Sequence, residues 1–324
     1  MSGVTVVTGG AGYIGAVTTE ELLSTGRTVR VLDVLLHDQD HIAKSLQDKG
    51  AELVRADIRD GEARKKALEG ATELVHLAAI VGDPTCARDP KVSQEVNVGG
   101  SQALVQDAKA AGVKRLVFAS TCSNYGRMAD PTVPITENGE LRPVSLYAEQ
   151  KVGIEQAMLD GDFNGMKPTC LRFATVYGVA PRMRFDLTVN EFTRDLWADR
   201  ELEVFGEQFW RPYVHVRDAA RGIRTVLEAP LDAVRGEVFN VGDSGENYRK
   251  LDLVTEIQRQ LDTGTVSYVR RDEDPRDYKV SFEKVKRLGY AVMKKVPDGI
   301  AEVAQALDAG RFPDSWSPRY RNIP

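Results

Sequence analysis

Short apolar runs alternate with amphipathic stretches through the first half of the chain. "VTVVT" (4–8) is apolar without an exposed-face alternation, the pattern of a strand covered on both sides. An amphipathic helix is predicted from about Tyr13 to Ser24, then a second strand at "TVRVLD" (28–33). "AELVRAD" (51–57), "ELVHLAA" (73–79), "KRLVFAS" (114–120) and "PTCLRFA" (168–174) repeat the strand pattern. Helical stretches separate them, including Val92–Ala111 and one from about Leu146. Such strand–helix alternation builds a parallel sheet with helices on both faces, so the fold class is α/β. After Tyr177 the alternation breaks down. "RMRFDLTVNEFTRDLWA" (182–198) is helical in its later part, and "WRPYVHVRDAARGIRTVLEA" (210–229) reads as a short strand followed by a helix. The expected organisation is a doubly wound domain over 1–177, rejoined by a segment near 213–240, and a smaller α/β substrate lobe made mainly of 178–324.

The turn after the first strand carries the first candidate chemistry. "TGGAGYIG" (8–15) places Gly9, Gly12 and Gly15 between a strand and a helix. That spacing allows a tight turn, close approach of backbone to a pyrophosphate, and close packing of helix on strand, as in a Rossmann-type dinucleotide site. The helix N-terminus, at Tyr13 and Ile14, then faces the phosphate charge. Asp33 ends the next strand, where a carboxylate accepts hydrogen bonds from ribose hydroxyls and repels a 2′-phosphate; NAD is favoured over NADP. Asp57 and Ile58, at the end of the third strand, are positioned to flank the adenine.

"YAEQK" (147–151) puts Lys151 one helical turn after Tyr147, on the same face. A phenol is a poor base, with an ordinary pKa of about 10. A nearby ammonium, with the positive nicotinamide ring, favours the phenolate, which can take a hydroxyl proton while a hydride leaves the carbon for NAD. Thr121, at the end of the fifth strand, is placed to hydrogen-bond the same substrate oxygen.

Composition narrows the partners. A net charge of −5 without a basic run argues against nucleic acid. No apolar stretch is long enough to span a bilayer, and the chain enters a strand pattern at once; no membrane partner and a cytoplasmic setting are expected. Cys86, Cys122 and Cys170 are odd in number and lack metal spacing, so neither disulfides nor a metal site are expected.

The motifs together resemble an extended short-chain dehydrogenase/reductase of the NAD-dependent sugar epimerase/dehydratase family. The matching pieces are "TGGAGYIG", Asp33, "HLAA" (76–79), "NVGG" (97–100), "STCSNYG" (120–126), "YAEQK", "LRFATVYG" (171–178) and "RPYVHVRDAA" (211–220), in family order. The resemblance implies Thr121, Tyr147 and Lys151 as catalytic groups. It implies Ala78, Ala79 and Asn97 on the cofactor side, Asn97 supporting a bend in the active-site helix. It implies Ser123 and Arg211 on the substrate side, with Arg271 and Asp274 of "RRDED" (270–274) as phosphate and ribose ligands. A homodimer through the helices from about Val92 and Leu146 is also implied.

The reaction is less sharply drawn. 4,6-Dehydratase-like members carry Asp-Glu where this chain has Cys122-Ser123, which counts against that reaction. 5,6-Dehydratase-like members carry Cys-Glu there, so Cys122 matches and Ser123 departs. Glu149, inside the Tyr-Lys motif, is a candidate replacement carboxylate, and Cys122 a candidate acid. The first expectation is an epimerase acting on a nucleotide-linked sugar. A dehydratase of a nucleotide sugar or nucleoside is the alternative, followed by a ketoreductase and a non-catalytic dinucleotide sensor.

Overall fold

In the computed structural model, residues 3–128, 130, 132–161, 163, 165–271 and 276–322 are described. The first lobe is built from β1 (Val4–Thr8), α1 (Tyr13–Ser24), β2 (Val29–Asp33), α2 (Asp40–Asp48), β3 (Glu52–Arg55), α3 (Gly61–Leu68), β4 (Ala71–His76), α4 (Ser101–Ala110), β5 (Arg115–Thr121), α5 (Leu146–Asp160) and β6 (Thr169–Phe173). It continues into the second lobe through β7 (Thr175–Tyr177), α6 (Thr188–Trp197), β8 (Leu202–Phe205) and β9 (Trp210–His215). The chain then runs through α7 (Val216–Glu228), β10 (Val238–Val241), β11 (Asn247–Arg249), α8 (Lys250–Leu261), β12 (Val266–Val269) and α9 (Val296–Asp308).

The main sheet has seven strands in the order β10-β6-β5-β4-β1-β2-β3, and each neighbouring pair is parallel. The fold is a Rossmann-type doubly wound sheet. Its strand order reverses between β1 and β4, and a ligand crevice lies outside the carboxyl ends of the strands at such a point. Val6, Val7, Leu74 and Val75 are fully buried, as continuous apolar strands under helices on both faces require. Two elements after Tyr177 return to this lobe. β10 pairs with β6, and α7 packs beside α1, burying Ile223 and Val226 in the core cluster that holds Val17.

The second lobe has its own apolar cluster, including Phe192, Leu196, Val204, Leu253 and Ile300. Two small sheets support it, β11-β9-β7 and β12-β8.

One element departs from the continuous helix expected over 92–111. Gln94–Gly100 is a π-helical segment leading into α4. Asn97 explains the departure: its Oδ1 accepts from Ile80 N–H at 2.7 Å, and its Nδ2 donates to Ile80 O at 3.0 Å and to Gln150 Oε1 at 2.8 Å. A side chain bonded inward to another loop widens the helix locally, as π-bulges at functional sites do.

Candidate active site

The carboxyl ends of β1, β2, β4 and β5 open on one cavity of about 420 Å³, closed on its far side by the second lobe. The glycine turn forms one wall. Gly9 has φ +70°, and a Cβ there would meet Ala78 N at 2.8 Å. A Cβ on Gly15 would overlap Gly9 O, so α1 can approach β1 only with glycine at that position. Gly12 caps α1 with no side-chain hydrogen bond, and no acidic residue lies in the first turn. The first-turn N–H groups of Tyr13 and Ile14, both in the cavity wall, are therefore available to an anion.

Asp33 lies at the rim of this wall. Its Oδ2 accepts from Ala11 N–H at 2.9 Å and its Oδ1 from Leu35 N–H at 2.8 Å. A carboxylate has about four lone-pair directions, so each oxygen keeps one for a ribose hydroxyl. Burial pushes the Asp33 carboxyl above its ordinary range, and the two N–H donors pull it back. Asp57 and Ile58 line the same end of the cavity, and Ala78 and Ala79 line the β4 side. Asn97 is not in the wall; it holds Ile80, which is.

The other end of the cavity is lined by Thr121, Ser123, Tyr147 and Lys151. Ser145 caps α5, its Oγ accepting from Ala148 N–H at 3.3 Å, and this aims Tyr147 and Lys151 inward on one helical face. Lys151 Nζ donates to Ala119 O at 2.7 Å and sits 6.0 Å from the Tyr147 ring centre. Burial lowers the Lys151 ammonium from 10.5 to about 8. Burial pushes the Tyr147 phenol well up, with Arg184 pulling in the opposite direction. Tyr147 is thus a neutral O–H in the protein alone, rather than a phenolate held by Lys151. Thr121 Oγ1 accepts from Ser123 N–H at 3.1 Å, which leaves its own proton free to donate.

Two expected residues lie elsewhere. Cys122 is buried behind β5, its Sγ donating to Arg172 O at 3.3 Å, and burial pushes its thiol far above the ordinary value. Glu149 is exposed and outside the cavity. It stands two residues from both Tyr147 and Lys151, about 200° around the helix, so aiming those two inward turns it to solvent. On the substrate side, Arg211 is buried against the Tyr278 ring, 5.4 Å from its centre, and donates to Trp210 O at 2.7 Å. Tyr278 lines the cavity and Arg211 does not. Arg271 is exposed over the Phe205 ring, away from the cavity. Asp274 lies outside the described residues.

Several lining residues were not anticipated: His37, Tyr278, Arg182, Arg184 and Asn322. The two arginines stand in "RMRF" (182–185), a basic pair in a stretch read only for its helical part. Asn322 reaches the site from a distant part of the chain, with no local pattern to betray it.

The model of one family, described as "NAD dependent epimerase/dehydratase family", matches residues 5–242. The chain belongs to the NAD dependent epimerase/dehydratase family. Among this family's members, a UDP-glucose 4-epimerase of Bacillus subtilis is 29% identical, spanning 98% of this chain and 97% of that one. The crystal structure of a UDP-glucose 4-epimerase of Thermus thermophilus with NAD superposes with a TM-score of 0.83 at 27% identity, covering 94% of this chain and 99% of that one. A dTDP-glucose 4,6-dehydratase of Streptomyces venezuelae, crystallised with NAD, superposes with a TM-score of 0.84 at 29% identity, covering 95% of this chain and 98% of that one. Both reactions therefore occur among similar proteins, and the site has to discriminate between them.

Proposed function

We propose that the protein is an NAD-dependent epimerase of a nucleotide-linked sugar, working by transient oxidation of a carbinol carbon and its re-reduction from the other face. One observation carries the choice of reaction. Among the described residues, the carboxylates in the cavity wall are Asp33 and Asp57, both at the end away from Tyr147. Dehydration beside a transient ketone requires one group to take a proton from carbon and another to protonate the departing hydroxyl. Cys122 and Glu149 were the candidates, and one is buried behind the strand while the other faces solvent. Epimerisation requires only a reversible proton transfer at one oxygen, which Tyr147 with Thr121 can serve.

The glycine cradle, the uncapped N-terminus of α1 and the spare lone pairs of Asp33 fit NAD. NAD, when bound, supplies the hydride acceptor and then the donor. Thr121 donates its free proton to the substrate oxygen and orients it. Ionised to the phenolate, the state that the Lys151 ammonium and the positive nicotinamide ring of bound NAD would favour, Tyr147 would take the hydroxyl proton from that oxygen and later return it. Lys151, fixed on Ala119 O, holds a positive charge beside the Tyr147 ring below about pH 8. Ser123 and Tyr278 line the cavity on the substrate side, and Arg211 packs behind the Tyr278 ring as a guanidinium for a nucleotide diphosphate.

Tyr147→Phe should fold, retain NAD affinity and lose roughly 10²- to 10⁴-fold in turnover. A variant with wild-type turnover would remove Tyr147 from the reaction. We also propose a cytoplasmic homodimer assembled through the π-helical segment, α4 and α5; light scattering at micromolar concentration should give twice the chain mass, and a monomer would contradict it. Among the described residues, no helix is long and apolar enough to cross a membrane.

A further inference from the structure

The loop from Val179 to Leu187 crosses from β7 to α6 beside the cavity and brings two cations into its wall, Arg182 and Arg184. They are answered differently. Arg184 forks onto Asp186, with Nε to Oδ1 at 2.9 Å and Nη2 to Oδ2 at 2.8 Å. Arg182 is buried, and its Nη1 and Nη2 donate to neutral acceptors, Asn322 Oδ1 at 2.7 Å and Arg321 O at 3.1 Å. Its Nε is buried without a partner. Among the described residues, no carboxylate forms an ion pair with Arg182. A buried guanidinium without a carboxylate bonded to it is costly, and burial together with Arg184 lowers it to about 10, with Asp186 and Asp33 pulling the other way.

Among the described residues, the other basic side chains of the wall are His37, Arg59 and Lys151. Arg59 pairs with Asp57 at 2.8 Å and with Glu95 at 3.0 Å. Lys151 is held by Ala119 O, and Leu77 to Val81 on the β4 side are uncharged. Position along the cavity gives the pair its meaning. Asn190 Nδ2 bonds both Arg184 O and Tyr13 Oη, so the loop stands against the first residue of α1. Asn322 joins Arg182 to Val81 O on the β4 side. Both arginines thus enter the cavity wall beside the N-terminus of α1, where a dinucleotide places its diphosphate.

We propose that Arg182 and Arg184 form a cationic clamp through which the second lobe binds the NAD diphosphate, from the side opposite the glycine turn. Asn322 is its positioning residue. It holds Arg182 through Oδ1, donates from Nδ2 to Val81 O at 3.2 Å, and donates from its backbone N–H to Asp186 Oδ2 at 3.0 Å. Phe185 N–H donates to Tyr320 O at 2.8 Å, so the same tail segment braces the loop a second time. The loop is further tied to the first lobe: Asn190 Nδ2 donates to Arg184 O at 2.9 Å and to Tyr13 Oη at 3.1 Å. A diphosphate held from both lobes leaves slowly, so the clamp keeps the cofactor bound between turnovers. The inference rests on the NAD reading above.

Calorimetric titration of NAD and of adenosine, with the NAD dissociation rate, tests it. Arg182→Gln and Arg184→Gln should each weaken NAD roughly 10- to 100-fold, the range of one charge-assisted hydrogen bond, mainly through faster dissociation. Adenosine, which has no diphosphate, should bind both variants as it binds the wild type, and Arg182→Lys should recover part of the loss. Folded variants with wild-type NAD affinity would overturn the clamp and leave the NAD reading intact. A wild type that binds no NAD would overturn that reading as well. If a variant does not fold, the wild type answers instead: ADP-ribose should bind more tightly than adenosine and lose affinity as salt rises, and salt-independent binding would overturn the clamp.

Discussion

At the scale of single residues, Lys151 carries a measurable signature of its burial. An ammonium lowered from 10.5 to about 8 is charged in the folded protein below that pH and costs stability there. Between about 8 and 10.5 the folded protein has released the proton while the unfolded chain still holds it, so the penalty is relieved as pH rises. The whole span corresponds to roughly 3 kcal/mol. Chemical denaturation of the wild type and of Lys151→Met should show the wild type gaining on the variant from pH 7 to pH 10; a difference that does not change with pH would contradict a desolvated ammonium. Legibility at this scale followed chemistry fixed by local spacing. Gly9, Gly15, Asp33, Tyr147 and Lys151 reach the cavity because turn and helix geometry alone place them. Glu149 belongs to the same motif, yet its direction was hidden until the helix face was fixed by Tyr147. Cys122 follows Thr121 as the first residue of a 3₁₀ turn (Cys122–Tyr125), and its thiol bonds Arg172 O instead of entering the cavity.

At the scale of elements, α5 is fixed on the sheet by a buried ion pair. Glu155 on α5 meets Arg172 on β6, with Nε to Oε1 at 3.1 Å, and both side chains are almost fully buried. Ser120 Oγ donates to Glu155 Oε2 at 2.6 Å, and Arg172 Nη1 donates to Tyr125 Oη at 2.8 Å. The pair therefore ties together the helix bearing Tyr147 and Lys151, the strand ending in Thr121, and the turn after it. Removing one partner leaves a buried charge unanswered, which costs roughly 3–5 kcal/mol. Glu155→Ala should lower the denaturation midpoint accordingly, and a near-neutral effect would show that the pair does not hold the elements together. The strands were legible because a parallel sheet buried on both faces leaves continuous apolar runs. The π-helical turn was not read from the apolar pattern, since it accompanies a contact outside the helix: Ile80 N–H, in the loop after β4, donates to Asn97 Oδ1.

At the scale of the molecule, the sheet supplies the glycine turn, Asp33 and the Tyr147–Lys151 face, and the second lobe closes the cavity over them. The first set was legible in the sequence and the closure was not. Arg182, Arg184, Tyr278 and Asn322 converge only when the chain after Tyr177 folds back, and no local periodicity encodes that return. The measurement that tests the account most directly is the identity of the product. Catalytic amounts of the protein with NAD should be incubated with a panel of nucleotide-linked sugars, and the product followed by mass spectrometry and proton NMR. The account predicts a product of unchanged mass with one inverted carbinol centre and no accumulation of NADH. A product lighter by one water would contradict it, because the described cavity has no acid–base pair at the Tyr147 end to make one.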